Sequence, residues 1–197
     1  FIEYSRRSHT GLVQQGWKDS WDSIFHADGS LADAPIALCE VQAYAYAAWL
    51  GASKLAETRG DDRQAREWRE RAEAVRLRFE EAFWCDELNT YALALDGLKR
   101  PCRVRTSNAG HCLFTGIASV ERAHRTCATL MDDSSFAGWG IRTVAAGESR
   151  YNPMSYHNGS IWPHDTALVA AGLARYGCTQ AVTRILDAMF DLSRVVD

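Results

Sequence analysis

The strongest constraint on the fold is an abrupt change of helix character at Gly60-Asp61. Before it, Ile36, Leu38, Val41, Tyr44, Ala45, Ala48, Trp49, Ala52 and Leu55 recur close to a helical period. Alanine and aromatic residues fall on nearly every side, which predicts a helix buried all round. Asp33 is placed to cap it, Pro35 suits its first turn, and Gly60 ends it. From Asp61-Asp62 to about Trp84 the pattern is different. Arg63, Arg66, Glu67, Arg69, Glu70, Arg71, Glu73, Arg76 and Arg78 form one polar face, and Ala65, Trp68, Ala72, Val75 and Phe79 form one apolar stripe. An apolar helix followed by an amphipathic one reads as an inner helix backed by an outer helix.

The pairing recurs. Thr106 to Ile117 is short and apolar, and Ser119 to Met131 is polar on one side. Asp165 to Tyr176 is rich in alanine and leucine and is closed by Gly177, and Thr179 to about Leu192 follows it. Three such hairpins outline an all-α, (α/α)6 toroid-like fold with about half of the ring present. Residues 1–197 are then a single segment of one domain. Tyr91 to Gly97 alternates weakly and is expected to form a short hairpin strand, and Phe136 to Met154, with its glycines and Pro153, a long loop.

Composition narrows the function. The net charge is -3, with no basic field for nucleic acid and no polybasic segment for a membrane surface. No apolar run approaches the ~20 residues of a membrane span. The first residues lack an initiator Met and the apolar core of a signal peptide, and the last ones continue a helical pattern, so an internal stretch of a longer polypeptide is expected. The six cysteines form no CxxC pair, which argues against a zinc site and for reduced thiols in the cytoplasm.

Two clusters carry the chemistry. Gly16-Trp17-Lys18-Asp19-Ser20-Trp21-Asp22 places two carboxylates among two indoles, and Ser155 to Asp165 contains Tyr156, His157, Trp162 and His164 before Asp165. Aromatic faces stack on sugar rings, and carboxyl groups supply acid chemistry. An indole beside Asp19 or Asp22 is expected to desolvate it, as a general acid requires. Both clusters precede inner helices, where the mouth of a toroid lies. Glu40 stands in an otherwise almost uncharged helix, so it either neutralises an interior Arg or faces a polar cavity. Arg142, beside Trp139, is suited to binding sugar hydroxyls or to holding a carboxylate. The seven-residue spacing of His157 and His164 fits no common metal pair; no metal or other cofactor is expected.

Gln15 to Ser23, Ala34 to Gln42, and Tyr151-Asn152-Pro153 through His164-Asp165 together resemble bacterial glycogen-debranching-type amylo-α-1,6-glucosidases. These belong with the inverting glycosidases of the (α/α)6 toroid, a group that includes trehalases. The resemblance implies that an Asp following a Trp-rich loop is the general acid. The spacing Trp-x4-Asp maps it onto Asp22, with Asp19 as the fallback. Trp17, Trp21, Tyr156 and Trp162 would then fence the sugar, and Glu40, Arg142, His157, His164 and Asp165 would bind it. It further implies a Glu base beyond the second motif, and no Glu occurs after Glu148.

Inversion needs both carboxyls, separated by roughly 6.5–9.5 Å. The expected partners are therefore an oligosaccharide and the remaining segments of the same catalytic domain. A homo-oligomer would also cover the apolar faces a half ring exposes. Rival readings are a non-catalytic oligosaccharide-binding fragment and a sugar phosphorylase or epimerase on the same fold.

Overall fold

The helix boundaries follow where apolar periodicity meets a turn residue. The computed structural model describes residues 1–195, so the last two positions of the expected 1–197 segment lie outside the described residues. Six α-helices form three consecutive hairpins: α1 (Cys39–Thr58) with α2 (Asp62–Phe83), α3 (Asn108–Thr115) with α4 (Val120–Leu130), and α5 (Pro163–Arg175) with α6 (Thr179–Ser193). The Asp61 side chain caps α2 by accepting from the Gln64 N–H at 3.0 Å.

The first helices of each hairpin line up side by side. α3 packs against both α1 and α5, while α2 and α6 back α1 and α5. Their shared core includes Phe79, Phe83, Tyr91, Leu113, Ile117, Val169, Leu173 and Ile185. Burying each of these aliphatic side chains contributes on the order of 2 kcal/mol. α3 and α5 approach closely because glycines face each other across the crossing. A Cβ on Gly110 would lie 2.4 Å from Val169 Cγ2, and one on Gly172 would lie 2.6 Å from the Phe114 nitrogen.

Two expectations about α1 are corrected. It starts at Cys39, not near Asp33, and its N-cap residue Leu38 makes no side-chain cap bond. The reason is competition from extended pairing. Ile36 exchanges backbone hydrogen bonds with Tyr4, and β1 (Ala37–Leu38) pairs antiparallel with β4 (Ala94–Leu95). Ile36, Ala37 and Leu38 are buried by that pairing. Nor is α1 buried all round. Tyr44, Ala48, Gly51 and Leu55 form an open stripe, with Leu55 68% exposed, because no described element covers that side.

The stretch from Tyr91 splits between two ladders. β2 (Trp84–Cys85) pairs with β3 (Thr90–Tyr91), and β4 belongs to the ladder with β1. The long loop after Phe136 is tied down by isolated bridges Phe136–Ile141, Thr106–Val144 and Arg142–Ile161. The last of these ties the loop to the second aromatic cluster, which meets the first through Ser20–His157 and Asn158–Asp22 hydrogen bonds.

Candidate active site

The inner helices all begin at one place. Glu40 lies in the first turn of α1, Asn108 opens α3, and Asp165 lies in the first turn of α5. The loop carrying Trp17 to Asp22 lies across these three ends. Pro163 favours a helix start at that position, and Trp162, extended just before it, points its indole N–H at the Tyr156 carbonyl at 2.9 Å.

Rings from both clusters form one wall. Trp17 stacks on His111 at 5.9 Å between centroids and 11° between planes. Its other neighbours meet it edge-on, His157 at 5.5 Å and His164 at 5.5 Å. Tyr156 packs on His157 and Trp162 at 4.6 and 4.8 Å, and Trp162 on His164 at 5.5 Å. Trp17, Tyr156, His157, Trp162 and His164 are thus brought together. Trp21 is not: it is 63% exposed and stacks on no ring among the described residues.

The two candidate acids diverge. Asp19 Oδ1 lies 3.7 Å from His157 Nδ1, at the ring wall. Asp22 Oδ2 lies 3.9 Å from Arg150 Nη1, and its backbone carbonyl accepts from Asn158 Nδ2 at 3.4 Å. Neither carboxyl is sealed against an indole as expected. The Asp19 side chain is 52% exposed, and Asp22 keeps a cation beside it. His157 is held below its ordinary pKa by burial, opposed by Asp19, and its Nδ1 lies 2.9 Å from the Ser20 hydroxyl.

Beneath the wall lies a buried charged layer. Glu40 is 1% exposed, and no Arg neutralises it; Oε1 has no partner among the described residues. Lys18 is equally buried, and its Nζ donates to the Thr143 carbonyl at 2.5 Å. Burial pulls the Lys18 ammonium down to about 8, against the raising pull of Asp165 and Glu40. Asp165 Oδ1 lies 2.6 Å from His111 Nε2. Arg142 stands at the side, its Nε donating to the Tyr151 hydroxyl at 3.2 Å and its buried Nη1 unpartnered among the described residues.

Lys18 and His111 are the members of this centre that residue types alone did not single out. For Lys18 the signal was its place between Trp17 and Asp19. For His111 it was a lone histidine opening an apolar helix. No group of three or more His, Cys, Asp or Glu side chains among the described residues is arranged to hold a metal ion. No described helix is long and apolar enough to cross a membrane.

Residues 3–195 match the profile described as the mannosylglycerate hydrolase MGH1-like glycoside hydrolase domain. The chain belongs to this MGH1-like glycoside hydrolase family. Comparison with curated proteins gave no match. Among solved structures, a GH63 mannosylglycerate hydrolase from Thermus thermophilus in complex with glucose is similar, with a TM-score of 0.66 and 21% identity. The similarity covers 81% of this chain and 40% of that one. The neutral trehalase of Saccharomyces cerevisiae gives a TM-score of 0.69 at 14% identity, covering 78% of this chain and 30% of the trehalase. A structure named as a sialidase gives 0.74 at 16% identity, over 93% of this chain and 18% of the other. The MGH1-like chain therefore spans 18–40% of these neighbours' lengths. At these identities the likeness is one of fold, and that fold is the (α/α)6 toroid.

Proposed function

We propose that residues 1–197 form one segment of an inverting glycosidase domain that hydrolyses small α-linked glycosides. The observation that carries this reading is the wall of rings contributed by both clusters with the Asp19 carboxyl beside it. Sugars stack on such faces, and the neighbouring carboxyl protonates the departing oxygen. Sequence spacing favours Asp22 as that acid. Asp22 faces the Arg150 guanidinium while Asp19 stands at the ring wall, so we place Asp19 first and Asp22 second.

Trp17, Tyr156, His157, Trp162 and His164 fence the ring, and Trp21 and Arg142 are placed to meet a second sugar unit. Glu40 and Asp165 are too buried to meet substrate and act through Lys18 and His111. The family's name, with a mannosylglycerate hydrolase and a trehalase among its structural neighbours, supports small α-glycosides over glycogen-like branches. The α-1,6 debranching reading rests on the motif resemblance alone. The open stripes on α1 (Ala48, Gly51, Leu55) and α6 (Leu186, Phe190) suit the remaining hairpins of the same domain, which would also bring the base. Six free thiols suit a reducing, cytoplasmic setting.

The test uses the complete catalytic domain with two substrate types, an alkyl α-glycoside and the α-glycosyl fluoride. Fluoride leaves without being protonated. Asp19→Asn is expected to lower alkyl glycoside turnover by about 100-fold or more while sparing the fluoride. Asp22→Asn should leave both within about tenfold. The reverse pattern transfers the acid role to Asp22, and loss in neither variant removes the role from this loop.

A further inference from the structure

A chain of hydrogen bonds runs under the ring wall and joins all three inner helices. Asp165 of α5 is fully buried, and its Oδ1 lies 2.6 Å from His111 Nε2 on α3. His111 is 1% exposed, and its Nδ1 meets the Tyr44 hydroxyl of α1. Tyr44 itself is 38% exposed, on the open side of α1. Trp17 stacks on the same imidazole, so Tyr44 stands at the edge of the wall.

The direction of this chain follows from its terminal acceptor. An ionised carboxylate only accepts, so His111 carries its proton on Nε2. With the proton on Nε2 the imidazole offers a lone pair at Nδ1, and the Tyr44 hydroxyl donates to it. Burial, reinforced by the Glu40 charge, raises the Tyr44 pKa well above its ordinary value, so the phenol keeps the proton it donates. That proton is committed inward. Toward the open side, the Tyr44 oxygen presents lone pairs only.

We infer that Tyr44 is a sugar-contacting residue, fixed by His111 and Asp165 as an obligate hydrogen-bond acceptor for one substrate hydroxyl. The inference rests on reading the ring wall as a sugar site, and it adds a rule of selection. An acceptor-only group rewards a hydroxyl at its position and leaves an ether or a deoxy carbon without a bond. Asp165 and His111 are positioning residues here, and Tyr44 is the one that touches sugar.

Two measurements on the complete catalytic domain test it. In histidine-15N-labelled protein, the His111 imidazole, identified by the signals lost in His111→Gln, should show the Nε2–H tautomer. Tyr44→Phe should move its Nδ1 signal toward that of a free imine nitrogen and leave Nε2 in place. An Nδ1–H tautomer, or an Nδ1 signal indifferent to Tyr44→Phe, overturns the inference whatever the sugar does. The second arm titrates methyl α-D-glucopyranoside and methyl α-D-mannopyranoside by ligand-observed NMR. Tyr44→Phe is expected to weaken binding about three- to tenfold, the worth of one hydrogen bond. Unchanged affinity in a wild-type chain that binds overturns the role of Tyr44 and leaves the sugar site standing. No binding of either sugar by the wild type overturns the sugar site, and the inference with it.

Discussion

Replacing Gly110 by alanine tests how the inner helices are held together. The new methyl would meet Val169 Cγ2 at 2.4 Å and Cβ and Cγ1 at 3.1 Å, where carbon pairs normally sit about 3.5–4 Å apart. Val169 is fully buried and β-branched, so in α5 its side chain has one strongly preferred rotamer and cannot swing aside. The helices must separate, which also loosens the Gly172 contact with the Phe114 backbone. Intrinsic helix propensity favours alanine by about 1 kcal/mol, and the overpacking costs about 3 kcal/mol, a net loss of about 2 kcal/mol. Val169→Ala alone should also cost about 2 kcal/mol, by leaving a cavity. In the double variant the methyl introduced on α3 enters the space the valine vacates. The cost of the double variant should therefore fall short of the sum by about 1–2 kcal/mol. Urea denaturation followed by circular dichroism measures all four proteins. A Gly110→Ala chain as stable as the wild type, or a strictly additive double variant, would refute the crossing described here.

Gly51 lies mid-α1 with nothing within 4 Å of the position its Cβ would take. Gly51→Ala should therefore stabilise the chain by about 1 kcal/mol, and a loss in the same urea assay would refute an open α1 face. Lys18 supplies a pH signature. Its folded pKa of about 8 lies below the ordinary 10.5, so between those values the unfolded chain binds the extra proton and stability rises with pH. The contribution is constant below pH 8, climbs by at most about 3 kcal/mol by pH 10.5, and is absent in Lys18→Met. Buried thiols such as Cys102, pushed up to about 12, lose stability over an overlapping range, so the wild-type minus Lys18→Met difference is the quantity to plot. A difference that stays flat across that range removes the buried ammonium.

The hairpins were legible because an inner helix and an outer helix bury different fractions of their circumference, and periodicity records that directly. α2 matches its pattern nearly residue for residue: Ala65, Ala72, Val75 and Phe79 are buried, and Trp68 is partly so, under Arg71. The start of α1 was not legible. Ile36 to Leu38 are equally apolar as helix or strand, and only partners distant in sequence, Tyr4 and Ala94–Leu95, decide for the strand. The open stripe on α1 is hidden from the sequence for a related reason, since an apolar pattern states what a helix can bury and not what is there to cover it. In the site, ring-rich spacing marked Trp17, Tyr156, His157, Trp162 and His164, which do converge. It could not tell which way each carboxyl of a tight loop points. Asp19 and Asp22, close in the same loop, face different basic side chains.

The buried layer explains why those two carboxylates can be left at the surface. Glu40 and Asp165 are both inaccessible, and Lys18 is the ammonium buried with them. Two buried anions against one cation would cost several kcal/mol if nothing else balanced them. Both carboxylates, however, sit in the first turns of α1 and α5, where each helix presents the equivalent of about half a positive charge. The two N-terminal ends and Lys18 together bring the layer close to neutrality without drawing on any other side chain. Within it His111 links Asp165 to Tyr44. Asp19 stays at the ring wall with only a long contact, 3.7 Å, to His157.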